Sequence, residues 1–182
     1  MIENPKILES VSVLFIYKQQ IFAVQRQPYL LAFPGYHAFP GGKVDNDESS
    51  TPFKIKILSD HDPRRMRAVC REVLEELDYD IEKGILNDEV FSVNELAETV
   101  APVFAPFRFR TWFYRIDLKN RVHFKADSGE FVSSFWSTPE KIIDDFREGK
   151  SLIVPPTRWI LKRLVEDPHA KKLGNLSEVF DE

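Results

Sequence analysis

The chain of 182 residues predicts a mixed α/β or α+β sandwich organised around a single core. Three observations point there. Several segments are rich in β-branched and aromatic residues, one long segment repeats its apolar residues at helical spacing, and two further helices open on proline. These strands and helices are mixed without strict βαβ alternation. One core serves a chain of this length, so residues 1–182 are read as one domain.

The elements follow in order. Residues 10–17 (SVSVLFIY) carry the first strand signal; a polar break at Lys18-Gln19-Gln20 leads into residues 21–25, and the pair reads as a hairpin. Residues 28–34 form a loop bracketed by two prolines and closed by Gly35. A short strand at 37–39 runs into Pro40-Gly41-Gly42, a strong breaker. The mostly polar residues 43–60 read as loop, with a short element at 53–58. Asp62 followed by Pro63 starts a helix, the aspartate as N-cap and the proline where a missing N–H costs nothing. Met66, Val69, Cys70, Val73, Leu74 and Leu77 then recur at i, i+3, i+4 and i+7. Asp78 and the residues after it end that helix, and residues 91–98 are expected to hold a short helix or turn. Residues 107–117 (FRFRTWFYRID) predict a long aromatic strand, and residues 130–136 another. Thr138 caps a helix that Pro139 opens and Arg147 ends, and a last helix spans 157–166 behind Pro155-Pro156.

Composition narrows the function classes. Hydrophobic residues make up 43% and charged residues 30%, a soluble globular balance. With 25 Lys and Arg against 29 Asp and Glu, the net charge of −4 argues against a nonspecific nucleic-acid binder. A polyanionic substrate would need arginines or metal ions placed locally. The single cysteine, Cys70, excludes an intrachain disulfide and fits a reducing cytoplasm. The apolar run at 11–17 is too short for a membrane span, and residues 1–6 lack a signal peptide's basic region, so a cytoplasmic protein without membrane attachment is expected.

The chemistry concentrates on the helix behind Asp62. At about 100° per residue, Met66, Val69, Cys70, Val73 and Leu77 share one side, while Glu72, Glu75 and Glu76 share an adjacent arc. Like charges so placed repel one another, and a divalent cation would relieve the repulsion. Mg2+ and Mn2+ prefer carboxylate oxygens, so the cluster is a candidate hard-metal site. Acidic pairs on solvated helix faces are common, and the alternative is a plain structural face.

Gly42 is followed by five residues and Glu48, and later by Arg71-Glu72-Val73-Leu74-Glu75-Glu76, with Phe39-Pro40-Gly41-Gly42 leading in. This pattern resembles the Nudix box, G-x5-E-x7-R-E-U-x-E-E-x-G-U with U aliphatic. Residues 49 to 70 separate Glu48 from Arg71, 22 where the family has seven, so 15 are inserted, at about 49–63. The insertion can precede the N-cap and leave the helix whole, but it calls the usual partnership of Glu48 with Arg71 into question. Asp78 and Tyr79 stand where the box has glycine and an aliphatic residue, and aspartate tolerates the left-handed backbone needed there. Over residues 10–164, PGYHAFPGGKVD, RFRTWFY, FWSTPE and PPTRWIL look like the peroxisomal-type acyl-CoA diphosphatase branch and its bacterial relatives.

The resemblance implies an α/β/α sandwich with a mixed sheet and a loop–helix–loop motif. It also implies Mg2+- or Mn2+-dependent hydrolysis of a diphosphate bond in a nucleoside diphosphate linked to another moiety: a coenzyme A ester, a sugar nucleotide or a dinucleoside polyphosphate. Carried over, Glu72, Glu75 and Glu76 are metal ligands with the carbonyl of Gly42, and Arg71 belongs to the catalytic group. Glu130 is the candidate general base and Asp127 its rival. Arg26, Lys43, Arg108 and Arg110 are candidates for gripping phosphate, the last two on one face of their strand. Phe109, with Phe107, Trp112 and Phe113, is a candidate for stacking a base or lining an acyl groove. The partner implied is a small nucleotide derivative, with a homodimer allowed. Against the coenzyme A motif of this superfamily, Arg26, Gly35 and Phe39 to Gly42 fit. Gln27 replaces Ser or Ala, and Leu31 replaces an arginine. A noncatalytic module that binds a nucleotide, alone or within a larger protein, is the competing reading.

Overall fold

In the computed structural model, which describes residues 7–103, 105 and 108–176, a mixed seven-stranded sheet is covered on both faces by helices. The elements in chain order are β1 (Leu8–Tyr17), β2 (Gln20–Arg26), β3 (His37–Ala38), α1 (Lys56–Ser59), α2 (Pro63–Leu77) and α3 (Ile81–Leu86). Next come β4 (Val90–Val100), β5 (Phe109–Leu118), β6 (Phe131–Ser137), α4 (Pro139–Arg147), α5 (Pro155–Glu166) and β7 (Gly174–Asn175).

Alternation along β1 and β5 divides the core. Val11, Val13 and Phe15, with Trp112, Tyr114 and Ile116, meet Met66, Val69, Val73 and Leu77 of α2 on one face. Leu14, Ile16 and Phe113 meet Ile142 and Ile143 of α4 and Ile160, Leu161 and Leu164 of α5 on the other. The centre is β1 in parallel with β5, flanked by β5 antiparallel to β4. Arg115 and Asp117 form a buried ion pair at 2.8 Å on β5, and Arg115 also donates to the carbonyls of Pro168 and Ala170, tying the C-terminal segment to the sheet.

The geometry around β2 creates the loop that matters. β6 pairs with β2 from Ile21 to Arg26, so β1 and β3 must share the other edge of β2. β1 keeps only Ile16 and Tyr17 in that pairing and then diverges. The opened wedge is filled by the chain after β3: Val13 N–H donates to the Pro40 carbonyl, Val11 N–H to the Gly42 carbonyl, and Val44 N–H to the Glu9 carbonyl. Gly41, at φ +144°, is required here, since a Cβ would overlap the Val11 carbonyl oxygen and sit 2.8 Å from Ser12 Cα.

Most sequence expectations hold. Asp62 caps α2 by accepting from Arg65 N–H at 3.0 Å, Pro63 opens it, and Asp78 closes it in the left-handed conformation at φ +53°. Thr138 caps α4 over the expected span. The insertion forms loop and the short α1, wholly before α2. Three readings need correction. Residues 91–98 are the middle of strand β4, not a helix or turn, held by β5 through two register shifts. A helix, α3, follows α2 where none was expected. Leu74, in the apolar series, is half-exposed. Phe107 lies outside the described residues.

Candidate active site

The wedge loop and the last two turns of α2 meet. Glu76, 4% exposed, accepts from Gly41 N–H at 2.8 Å. Glu72 lies one turn earlier, with its carboxylate against the backbone of Gly42, so closely that a Cβ there would overlap it. The two glycines therefore serve different needs: one fits the wedge, the other lets a carboxylate reach the loop. Glu75, on the same arc by periodicity, points outward with its side chain 61% exposed.

Burial sets the electrostatics. It pushes the Glu76 carboxyl up to about 8, the charges of Glu72 and Glu130 push the same way, and the Gly41 N–H and Arg26 oppose them. Burial also raises Glu72, against the pull of Arg71 and with the added repulsion of Glu75 and Glu130. Glu130, in the loop before β6, is thus near enough for its charge to act on both helix carboxylates. Asp127, its rival, instead accepts from Gly129 N–H at 3.1 Å and shapes the turn.

Arg71 organises the rim. It donates to Glu48 at 3.0 Å, Glu72 at 2.8 Å, Glu75 at 3.4 Å and the Lys43 carbonyl at 2.8 Å, and pairs with Asp45 at 3.3 Å. Burial works against its charge, but the bonds to Glu48 and Glu72 hold its pKa above the usual arginine value. The partnership of Glu48 with Arg71, which the insertion called into question, is intact. Asp45 went unnoticed in the sequence, because nothing distinguishes it there from other loop acids.

The turn carrying Glu130 is held from two sides. Asp127 N–H donates to the Glu76 carbonyl at 2.8 Å. Opposite, Gln27 N–H donates to the Glu130 carbonyl at 2.8 Å, and Gln27 Nε2 to the carbonyls of Ser128 at 2.9 Å and Phe131 at 3.3 Å. Tyr29 O–H donates to the Gly129 carbonyl at 2.5 Å. Neither residue was singled out as functional by sequence; the departure of Gln27 from the Ser or Ala pattern was the one signal.

The phosphate candidates separate. Arg26 reaches the site, since its charge is felt at Glu76, while its Nε donates to the Ala32 carbonyl at 3.0 Å. Lys43 has an exposed side chain beside the same loop. Arg108 and Arg110 bond elsewhere, to the Ala101 carbonyl at 3.3 Å and to Glu98 at 3.4 Å. Phe109 alternates with Arg110 and takes the sheet face away from α2, the face on which Phe113 is buried; Trp112 packs under α2.

Hard divalent ions take carboxylate and carbonyl oxygens, and Glu72, Glu75 and Glu76 with the second lone pair of the Gly42 carbonyl fit that chemistry. Among the described residues no group of three or more His, Cys, Asp or Glu is gathered tightly enough to grip an ion as it stands, and Arg71 engages two of the carboxylates. No helix of the described residues is long and apolar enough to cross a membrane.

No protein-family model and no curated protein matches the sequence. Solved structures do match. A Nudix hydrolase from Alicyclobacillus acidocaldarius superposes with a TM-score of 0.73 at 19% identity, over 91% of this chain and 94% of that one. The E. coli dihydroneopterin triphosphate pyrophosphohydrolase gives 0.59 at 14% identity, over 89% and 99%. A C. elegans Ap4A hydrolase gives 0.53 at 16%, over 86% and 96%. With its mixed sheet, its helices on both faces and its glycine loop seated on the carboxylates of α2, the chain has the Nudix hydrolase fold.

Proposed function

We propose that the chain is a hydrolase that splits a diphosphate bond in a nucleoside diphosphate linked to another moiety, with Mg2+ or Mn2+ held by Glu72, Glu75, Glu76 and the carbonyl of Gly42. The observation that carries this reading is the seating of the Gly41-Gly42 loop on the carboxylates of Glu76 and Glu72, both raised above their ordinary value. Burying carboxylates side by side is costly, and such a cost is retained where it serves chemistry. A bound divalent ion would supply charge neutralisation at the phosphates and a more acidic water. Glu130 would serve as the base that accepts a proton from the attacking water, Arg71 fixes the orientation of Glu72 and Glu75, and Arg26 and Lys43 would bind phosphate oxygens. Coenzyme A, ADP-ribose and diadenosine tetraphosphate are the representative substrates. Assayed with Mn2+, one of them is expected to be hydrolysed, and Glu72→Gln or Glu76→Gln to lower kcat at least about a hundredfold. Equal turnover by both variants overturns the assignment.

A second reading has one observation in its favour: Arg71 already engages Glu72 and Glu75. In that reading the domain binds a nucleotide without metal or turnover. Calorimetry separates the two, since only in the second is nucleotide affinity the same with chelator as with Mn2+.

A further inference from the structure

We propose that Gln27 and Tyr29 are positioning residues that clasp the turn bearing Glu130 and hold its carboxylate toward Glu72 and Glu76; this rests on the assignment of Glu130 as general base. The ladder between β2 and β6 breaks just here: Gln25 pairs with Ser133 but Arg26 with Phe131, leaving Val132 as an exposed bulge. Beyond the bulge, strand pairing ends with Arg26 and Phe131. There the carbonyls of Ser128, Gly129, Glu130 and Phe131, four in succession, accept from Gln27 and Tyr29. The other end of the turn is fastened to α2 through Asp127 N–H and the Glu76 carbonyl. The turn is thus suspended between the helix that bears the two other carboxylates and the segment leaving β2. A side chain shorter than glutamine could not span to both Ser128 and Phe131. Gln27 and Tyr29 bond the turn through its carbonyls, so their contribution to rate runs through where they place Glu130. A displacement of about 1 Å at a catalytic group is enough to slow turnover severely.

The test uses full-length protein with Mn2+ and the three substrates named above, with thermal melts to verify folding. Gln27→Leu removes the side-chain donor at similar volume, and Tyr29→Phe removes one hydroxyl. Expected are a fall in kcat of about tenfold for the first and threefold for the second, with KM within about twofold. Gln27→Lys, which keeps a donor of comparable reach, recovers most of the lost kcat. In a Glu130→Gln background, Gln27→Leu lowers kcat by less than about twofold further, because residues acting through one group are not additive. An equal fractional loss in both backgrounds overturns the positioning role while leaving Glu130 as base. Wild-type kcat in Glu130→Gln overturns the base assignment and the clasp's catalytic role together. Hydrogen exchange gives a readout free of turnover. Amides of residues 129–131 are expected to exchange about tenfold faster in Gln27→Leu than in wild type, with α2 unchanged, and unchanged exchange in the turn refutes the clasp.

Discussion

Glu76 shows how closely function and instability can sit in one side chain. Burial lifts its carboxyl to about 8, well above the ordinary value of 4.5, so the folded chain holds that proton more tightly than the unfolded one. The metal-free protein is therefore stabilised by this group below pH 4.5 and loses that contribution as pH rises through 8. In chelator, melting temperature is expected to fall from pH 6 to pH 9 by several degrees more in the wild type than in Glu76→Gln; Mn2+ should restore only the wild type. Parallel melts across pH decide it. Cys70 makes a second case. Burial, then the nearby Glu82 and Asp80, push its thiol up to about 12. At pH 8 roughly one thiol in ten thousand is ionised, so iodoacetamide should leave the native protein unmodified for hours and label it promptly in guanidine. These residues also mark what sequence can tell. Helical spacing places three glutamates on one arc, but it cannot say that the wedge loop covers Glu76 and leaves Glu75 in solvent. That depends on where β1 leaves β2, a tertiary fact.

At the level of elements, α2 was legible because every local signal agrees: Asp62 caps it, Pro63 begins it, its apolar residues repeat at the right period and Asp78 ends it. β4 was not, because Asn94, Glu95, Ala97 and Glu98 are poor strand formers that acquire extended structure only through β5. α3 hides for a related reason. Gly84 interrupts its pattern, yet the glycine is needed because the Tyr79 hydroxyl occupies the place a Cβ would take. The close of α2 yields a prediction. Asp78 adopts φ +53°, which costs a residue with a Cβ, and its pairing with Lys125 at 3.6 Å is solvent-exposed and weak. Asp78→Gly should raise stability by about 0.5–1 kcal/mol in urea unfolding, with activity retained; a loss of stability would show that the aspartate does more than close the helix.

Across the whole molecule, the sheet depends on a charge pair in its interior. Arg115 and Asp117 are nearly unexposed, and Arg115 alone ties Pro168 and Ala170 to β5. Arg115→Met strands the carboxylate and should cost about 3–5 kcal/mol, while Arg115→Met with Asp117→Leu should recover at least half of it in the same denaturation experiment. The alternation of residues 107–117 announces a strand there, but no local pattern reveals that it lies beside β1. That central pairing, in which Ser10 meets Thr111 across 101 positions of chain, sets a timetable. At about 5–20 residues per second, β1 and its hairpin leave the ribosome many seconds before β5 exists. Throughout that interval β1 lacks the neighbour on its far edge, and Glu130 arrives later still. Birth order thus keeps the candidate site incomplete until the chain has passed Glu130. A stalled nascent chain ending before β5 should display a protease-sensitive amino-terminal half, with limited proteolysis as the readout.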